Sequence, residues 1–397
     1  MSVNLSLKKD AIGRYKKGYS LIEKDVILNL DELKDEGEII NLVDSSGRFI
    51  AKGYYGRQNR GYGWVLTQNR DEPINKAFFT KKIKEAIEYR REFFKSVDTT
   101  AFRLFNGEGD GIGGLSIDYF DGYYLITWYS VGIYKFKDYI LGALKSLVDF
   151  RGIYQKCRFD TKGQYVDSSS DYIEGERALE PLIVKENGVK FAIYLDDGAM
   201  VGVFLDQRDV RKAIRDRYAK GRTVLNTFSY TGAFSLFSAV GGAKITTSVD
   251  LAKRSLPKTT EMFEINNIDA STQNIVVQDV FEYFKYAVRK GLKFDMVIAD
   301  PPSFARSKKY TFSVAKDYTN LLKQIIAITE INGIIVASTN YSSLSRSRFK
   351  DFIQNAFSET NCRYKIVEEF ALPKDFKVDR DVKQSSYLKV FFIKKLS

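Results

Sequence analysis

Four short segments in the second half of the chain carry residue types suited to holding a nucleoside. The first, Asn226-Thr227-Phe228-Ser229-Tyr230-Thr231-Gly232, joins small polar side chains to a glycine, which lets backbone amides come close to a ligand at a helix N-terminus. Asp250 stands eighteen positions beyond Gly232, where a carboxylate can accept hydrogen bonds from a ribose diol. Gln278-Asp279 offers partners for the exocyclic amine of adenine. Asp300-Pro301-Pro302-Ser303-Phe304 sets a carboxylate and rigid backbone carbonyls before an aromatic platform. An aspartate after a strand is commonly a helix cap, so Asp250 or Asp279 alone says little. Four such segments in register say more.

The pattern around them predicts the elements that position them. Arg222–Asn226, Lys244–Asp250, Ile275–Asp279, Phe294–Asp300 and Gly333–Ser338 read as successive strands, with a helix over Ala233–Val240 after the first. Two later extended runs, Tyr364–Phe370 and Tyr387–Phe392, complete the set. Near-continuous apolar strands alternating with helices predict an α/β, Rossmann-like domain with a mostly parallel sheet. Ligands in such sheets sit beyond the carboxyl ends of the strands, and each of the four segments falls at one. The first turn does not have the GxGxxG form of a dinucleotide site. The glycine-rich stretch Asn106–Gly114 lacks the Gly-Lys-Ser/Thr ending of a nucleotide P-loop and reads as a structural loop. A ribose-and-adenine site with neither motif points to S-adenosyl-L-methionine as the cofactor.

Composition narrows the chemistry further. The chain has 397 residues, more than one hydrophobic core usually organises, with 44% hydrophobic and 28% charged residues, as in soluble globular proteins. It contains no histidine, which excludes Ser-His-Asp hydrolysis, imidazole general-base catalysis and His-ligated zinc. Its two cysteines, Cys157 and Cys362, exclude a disulfide framework, a four-cysteine zinc site and a CxxC redox centre. No metal is expected. Lys and Arg number 62 against 50 Asp and Glu, a formal charge of +12 that favours an acidic or phosphate-rich partner. No apolar run approaches a membrane span, and Met1–Asp10 has no signal-peptide core, so the expected location is cytoplasmic.

Three domains are expected: a small β-rich domain over 1–73, an α+β domain over 74–190 and the Rossmann-like domain over 191–397. In the first, Ile39–Val43 and Arg48–Gly53 flank the turn Asp44-Ser45-Ser46-Gly47, and Tyr54, Tyr55, Tyr62 and Trp64 interleave with Arg57 and Arg60, which suits stacking and phosphate contact or equally an ordinary strand-rich surface. The second starts with a helix over Lys76–Ser96. It continues through a hairpin at Asp121-Gly122, a helix over about Lys135–Val148 and a hairpin at Glu186-Asn187-Gly188.

Nearly the whole chain resembles the bacterial large-subunit ribosomal RNA methyltransferases that carry an N-terminal PUA domain, a small central domain and a Rossmann-like catalytic domain. The resemblance rests on Arg103–Asp110, Phe204-Leu205-Asp206-Gln207-Arg208, Asn226–Gly232 and Asp300–Phe304. It implies that the loop after the first strand, Asp250, Asp279 and Asp300 line the S-adenosylmethionine site, with Gln207 and Arg208 beside it. It leaves a homodimer open. Well-known members make 5-methylcytosine with a cysteine that attacks C6 of the base, placed in a Ser-Cys-Ser-like segment after the fifth strand. Here that segment reads Ser338-Thr339-Asn340-Tyr341-Ser342-Ser343-Leu344, with Thr339 at the cysteine position. The resemblance implies cytosine C5 of a large-subunit ribosomal RNA base as the target, without the family's cysteine nucleophile, and so leaves the base and the atom on it open to an alternative. Methylation of an amine or ring nitrogen needs no covalent enzyme intermediate, and a non-catalytic RNA-binding factor is the competing reading.

Basic residues cluster on the same rim. Arg306, Lys308 and Lys309 follow Phe304, while Arg346, Arg348 and Lys350 follow the loop after the fifth strand. Phosphate contacts there would orient ribosomal RNA, with Phe304 and Tyr341 holding an unstacked base and Asp300 and the Pro301 carbonyl positioning it for transfer.

Overall fold

The computed structural model describes residues 2–58, 61–159, 171–198, 200–307 and 309–397. They form two compact units. One comprises Met1–Val184, Ile193–Val201 and Lys374–Ser385, and the other Lys185–Ala192, Gly202–Pro373 and Ser386–Ser397. Among the described residues no helix is long and apolar enough to cross a membrane.

The first unit holds two sheets. Val3–Ser6, Ile39–Val43, Phe49–Tyr55 and Gly63–Thr67 form a four-stranded sheet in chain order, its first pair parallel and the others antiparallel. The expected turn at Asp44 forms because its Oδ1 accepts from the Ser46 and Arg48 amides, at 2.9 and 3.0 Å. A five-stranded sheet follows from Ala101–Asn106 to Tyr172–Gly175. Its Asp121-Gly122 turn takes φ 48° and 90°, the left-handed pair that a tight two-residue hairpin requires.

The single helix expected over 76–96 is two, Lys76–Tyr89 and Arg91–Phe94, broken at Arg90. The break has a packing cause. The fully buried Arg90 guanidinium makes two hydrogen bonds to Asp110, at 2.9 and 2.7 Å, and two to the Asp375 carbonyl, at 2.9 and 2.6 Å. Asp110 also accepts from the Asn106 amide at 2.6 Å, so the glycine-rich stretch is a structural loop closed on an internal ion pair.

The second unit is built on a seven-stranded sheet: β1 (Thr223–Thr227), β2 (Ile245–Asp250), β3 (Asn274–Val277), β4 (Phe294–Ala299), β5 (Thr329–Thr339), β6 (Tyr364–Phe370) and β7 (Lys389–Lys395). The order is β3-β2-β1-β4-β5-β7-β6. β1 to β5 are parallel, and β7 runs antiparallel to β5 and β6. The helices are α1 (Arg208–Ala213), α2 (Ala233–Val240), α3 (Ser255–Glu264), α4 (Val280–Arg289), α5 (Val314–Ile328) and α6 (Arg346–Glu359).

The middles of the central strands are nearly continuous in apolar residues because both faces are covered. Leu225, Val297, Ile335 and Phe391 pack with Phe284, Leu321 and Phe349 of α4, α5 and α6. Val224, Ile298, Val336 and Phe392 pack on the opposite side with Val210, Ala213 and Phe234. From β1 the chain steps outward to β2 and β3, then returns to β4 on the other side. The crevice beyond the ends of β1 and β4 is thus the place where this sheet can take a ligand.

Candidate active site at the strand ends

The loop leaving β1 folds back on itself. Phe228, Tyr230 and Gly232 have φ 54°, 52° and 75°, a left-handed conformation that non-glycine residues rarely adopt. Asp250 at the end of β2 holds it there: Oδ2 accepts from the Tyr230 amide at 2.9 Å and Oδ1 from the Ala252 amide at 2.8 Å. A carboxylate has about four acceptor positions, so each oxygen keeps one for a further donor. Ser229 donates its amide to the Val249 carbonyl at 3.1 Å, and the Thr231 hydroxyl donates to the Gly202 carbonyl at 2.8 Å. Gly232 is fixed by packing as well as by φ, since a Cβ there would lie 2.4 Å from Thr259 Cγ2 on α3. Asn226 turns inward, its Nδ2 donating to Ser235 Oγ at 3.0 Å, and so secures the start of α2.

Beside Asp250, Leu251 and Val277 are exposed apolar side chains, 54% and 40% accessible. Gln278 follows β3, its amide donating to the Asp250 carbonyl at 2.9 Å. Asp279 caps α4 by accepting from the Phe281 and Glu282 amides, at 2.9 and 3.4 Å.

Asp300 lies at the centre of a polar cluster. Gln207, in the turn Leu205–Gln207 before α1, donates its Nε2 to Asp300 Oδ2 at 3.0 Å and to Ser338 Oγ at 2.8 Å. Burial pushes the Asp300 carboxyl up to about 6 and the Asp206 charge adds to this, while the Ser338 and Gln207 hydrogen bonds and Arg211 oppose it. The group is therefore an acceptor at neutral pH that still takes up a proton. Tyr318 of α5 donates to the Ser338 carbonyl at 2.6 Å. Arg208 is buried, and Arg211 is held by Glu186 at 2.7 and 2.6 Å with both side chains buried. The participation of Ser338 and Tyr318 is not evident from spacing. A serine directly after the apolar run Ile334–Ala337 is the one available signal.

Pro301 is buried, whereas Phe304 is 62% exposed on a short hairpin of Phe304–Arg306 with Thr311–Ser313. The hairpin is anchored to α4, where Tyr310 and Lys309 both bond Glu282 and the Phe281 and Tyr310 rings lie 5.3 Å apart. Ser303 Oγ donates to Asn340 Oδ1 at 2.9 Å, joining the turns after β4 and β5. Thr339, which the resemblance sets at the cysteine position, is fully buried and its hydroxyl accepts from the Tyr341 amide at 3.1 Å. Tyr341 is half-buried against the core.

Of the basic rim residues, Arg306 is exposed. Lys309 reaches Glu282 at 3.3 Å, Arg346 reaches Glu369 at 3.3 Å and Arg348 reaches Asp351 at 3.9 Å. Lys308 lies outside the described residues. Among the described residues no group of three or more Cys, Asp or Glu side chains is placed to hold a metal ion.

Comparison with known proteins matches residues 110–394 to an S-adenosylmethionine-dependent methyltransferase family and residues 5–68 to a PUA-like domain. The chain is 56% identical to "Putative ribosomal RNA large subunit methyltransferase YwbD" of Bacillus subtilis (strain 168), over 98% of this chain and 99% of that protein. It is 28% identical to ribosomal RNA large subunit methyltransferase I of Escherichia coli (strain SMS-3-5 / SECEC), over 98% and 99% of the two chains. The crystal structure of SMU.776 complexed with SAH superposes with a TM-score of 0.91 at 38% identity, covering 99% of this chain and 100% of that one.

Proposed function

The chain belongs to the S-adenosylmethionine-dependent ribosomal RNA large subunit methyltransferases, and from that premise we propose that it methylates a base of large-subunit ribosomal RNA in the cytoplasm, by direct transfer to an exocyclic amine or ring nitrogen. The observation that carries the choice of direct transfer is the corner where β4 and β5 end. There the Asp300 carboxylate accepts from Gln207 with acceptor positions to spare, and Thr339, which the resemblance sets at the cysteine position, is buried and already engaged with the Tyr341 amide; both support this reading.

The cofactor fits the residues present. Asp250 retains acceptor capacity for a ribose diol, and the exposed Leu251 and Val277 beside it offer apolar walls for adenine. Gln278 and Asp279 would face the adenine edge, the Phe228–Gly232 backbone would hold the remainder, and Gln207 and Arg208 would lie alongside. When bound, S-adenosylmethionine supplies a methyl group already activated on a sulfonium, so the protein contributes chiefly alignment and proton removal. Asp300 orients the accepting nitrogen and takes its proton, aided by the Pro301 carbonyl, while Phe304 and Tyr341 hold the base. Arg306, Lys308, Lys309, Arg346 and Arg348 contact phosphate. Exchange of existing carboxylate partners for phosphate is consistent with this role, since exposed ion pairs contribute little.

The division into 1–73, 74–190 and 191–397 belongs to the same proposal, supported by the separate sheets of the first two segments and by the PUA-like match over residues 5–68, while Ile193–Val201 and Lys374–Ser385 group with the first unit and Lys185–Ala192 with the second. Mass spectrometry of ribosomal RNA from cells lacking the gene tests the function. The expected result is one missing base methyl mark, restored by the protein with S-adenosylmethionine. A complete set of marks in those cells would reject it.

A further inference from the structure

Lys389 opens β7 opposite Thr339, the last residue of β5. Only 7% of it is exposed, and lysine is rarely so buried without strong partners. Its ammonium donates to two backbone carbonyls, Tyr341 at 3.2 Å and Tyr387 at 3.0 Å. Each of these leads to another part of the candidate site. The Tyr341 carbonyl also accepts from the Leu344 amide at 3.1 Å, closing the turn after β5. Asn340 in that turn accepts from Ser303 at 2.9 Å and so reaches the turn after β4 that carries Phe304. The Tyr387 hydroxyl donates to Asp206 at 2.8 Å, next to Gln207, which holds Asp300. The buried ammonium thus ties the turn after β5 to the start of β7, and further bonds lead from these two segments to Ser303 and to Asp206.

We propose that Lys389 is the positioning residue of the base pocket, holding the turn after β5 in register with the turns that carry Asp300 and Phe304. This rests on the reading of Tyr341 and Phe304 as base contacts. Charge-assisted hydrogen bonds are roughly twice as strong as neutral ones, so a protonated Lys389 fixes the turn more firmly than a neutral amine. Burial, with the Arg346 charge adding to it, draws the Lys389 ammonium down to about 8. The groups facing it are Arg346 at the start of α6, itself paired with Glu369, the Tyr341 turn, and Tyr387 with Asp206 behind it.

The test compares K389M and K389R with the wild-type chain by hydrogen exchange over residues 339–345, calorimetry with S-adenosylhomocysteine, and steady-state methyl transfer across pH. In K389M, exchange over 339–345 should rise and kcat should fall on the order of tenfold or more, the scale of a misplaced reacting group, while cofactor affinity stays within about twofold. K389R should restore protection and abolish the fall in wild-type kcat as pH rises through about 8. Unchanged exchange in K389M would overturn the proposal. So would an alkaline limb in K389R identical to wild type, which also decides the matter if K389M does not fold. If the wild-type chain methylates no ribosomal RNA, the functional reading fails and the exchange measurement alone judges Lys389.

Discussion

Asp300→Asn should stabilise the catalytic unit at alkaline pH while removing its activity. Burial raises the Asp300 carboxyl from 3.8 to about 6, and each pKa unit corresponds to about 1.4 kcal/mol, so keeping the ionised group folded costs about 3 kcal/mol at pH 8. The sign follows from linkage. The folded state binds this proton more tightly than the unfolded state, so the group's stabilising contribution is full below about pH 4 and is lost as pH rises through 6. Asparagine has nearly the same shape, cannot ionise, accepts from Gln207 and can donate to Ser338. The gain should therefore be about 2–3 kcal/mol at pH 8 and roughly half that at pH 5. For a domain of this size it corresponds to a melting temperature about 5–10 °C higher at pH 8. Methyl transfer should fall by about 100-fold or more, because the variant cannot take the proton. Thermal melts at both pH values together with a transfer assay measure the two effects. An equal shift at pH 5 and pH 8, or a lower melting temperature for the variant at pH 8, would refute the assignment of an ionised, desolvated carboxylate.

Two further substitutions probe other parts of the unit. Asp250→Ala should weaken S-adenosylmethionine binding by about 1–3 kcal/mol, the scale of lost hydrogen bonds to a charged group; unchanged affinity by calorimetry would remove Asp250 from the site. Glu186→Ala leaves the buried Arg211 guanidinium without its carboxylate and should cost about 3–5 kcal/mol in chemical denaturation, with Arg211→Met in the same chain recovering part of the loss; a cost under about 1 kcal/mol would mean that water reaches Arg211.

The strands of the catalytic sheet were legible because burial on both faces leaves them nearly continuous in apolar residues, and the helix Ala233–Val240 was read with its observed bounds. Elements that depend on distant partners were not. Nothing near Arg90 announces that the helix must break there, since the cause is Asp110 and the Asp375 carbonyl. Lys374–Ser385 lies between β6 and β7 in sequence, yet joins the other unit through contacts such as Asp375 Oδ2 with the Arg103 amide at 2.9 Å and the Lys377 carbonyl with Asn106 at 2.9 Å. At the candidate site, residue type located Asp250 and Asp300 at strand ends. It could not tell that Asn226 faces inward, or that Ser338 and Tyr318 join Gln207 at the second carboxylate, because those contacts are set by side-chain direction and not by spacing.

The route of transfer gives the sharpest remaining expectation. Attack on cytosine C6 needs a nucleophile that can leave again, and a thiolate is the side chain best suited to it. Cys157 lies on a strand of the first unit, where burial and the nearby Asp171 charge raise its thiol above the ordinary range and leave it mostly protonated near neutrality. Cys362 follows α6 and directs its thiol to the Thr360 carbonyl at 3.4 Å. α6 starts beside the turn after β5 and is 14 residues long, so at 1.5 Å per residue it carries Cys362 about 20 Å from that turn. Thr339, which the resemblance sets at the cysteine position, has its hydroxyl buried, and a threonine without a strong adjacent base is a poor nucleophile. Cys157→Ser and Cys362→Ser, singly or together, should therefore retain methyl transfer within about twofold, the effect of substitutions outside the chemistry. RNA carrying 5-fluorocytosine should leave no covalent protein–RNA band on a denaturing gel. A band lost with either cysteine would refute the direct route. A methylated nitrogen in the digested product, with no band, would place the chemistry at Asp300, where the carboxylate able to receive the displaced proton stands.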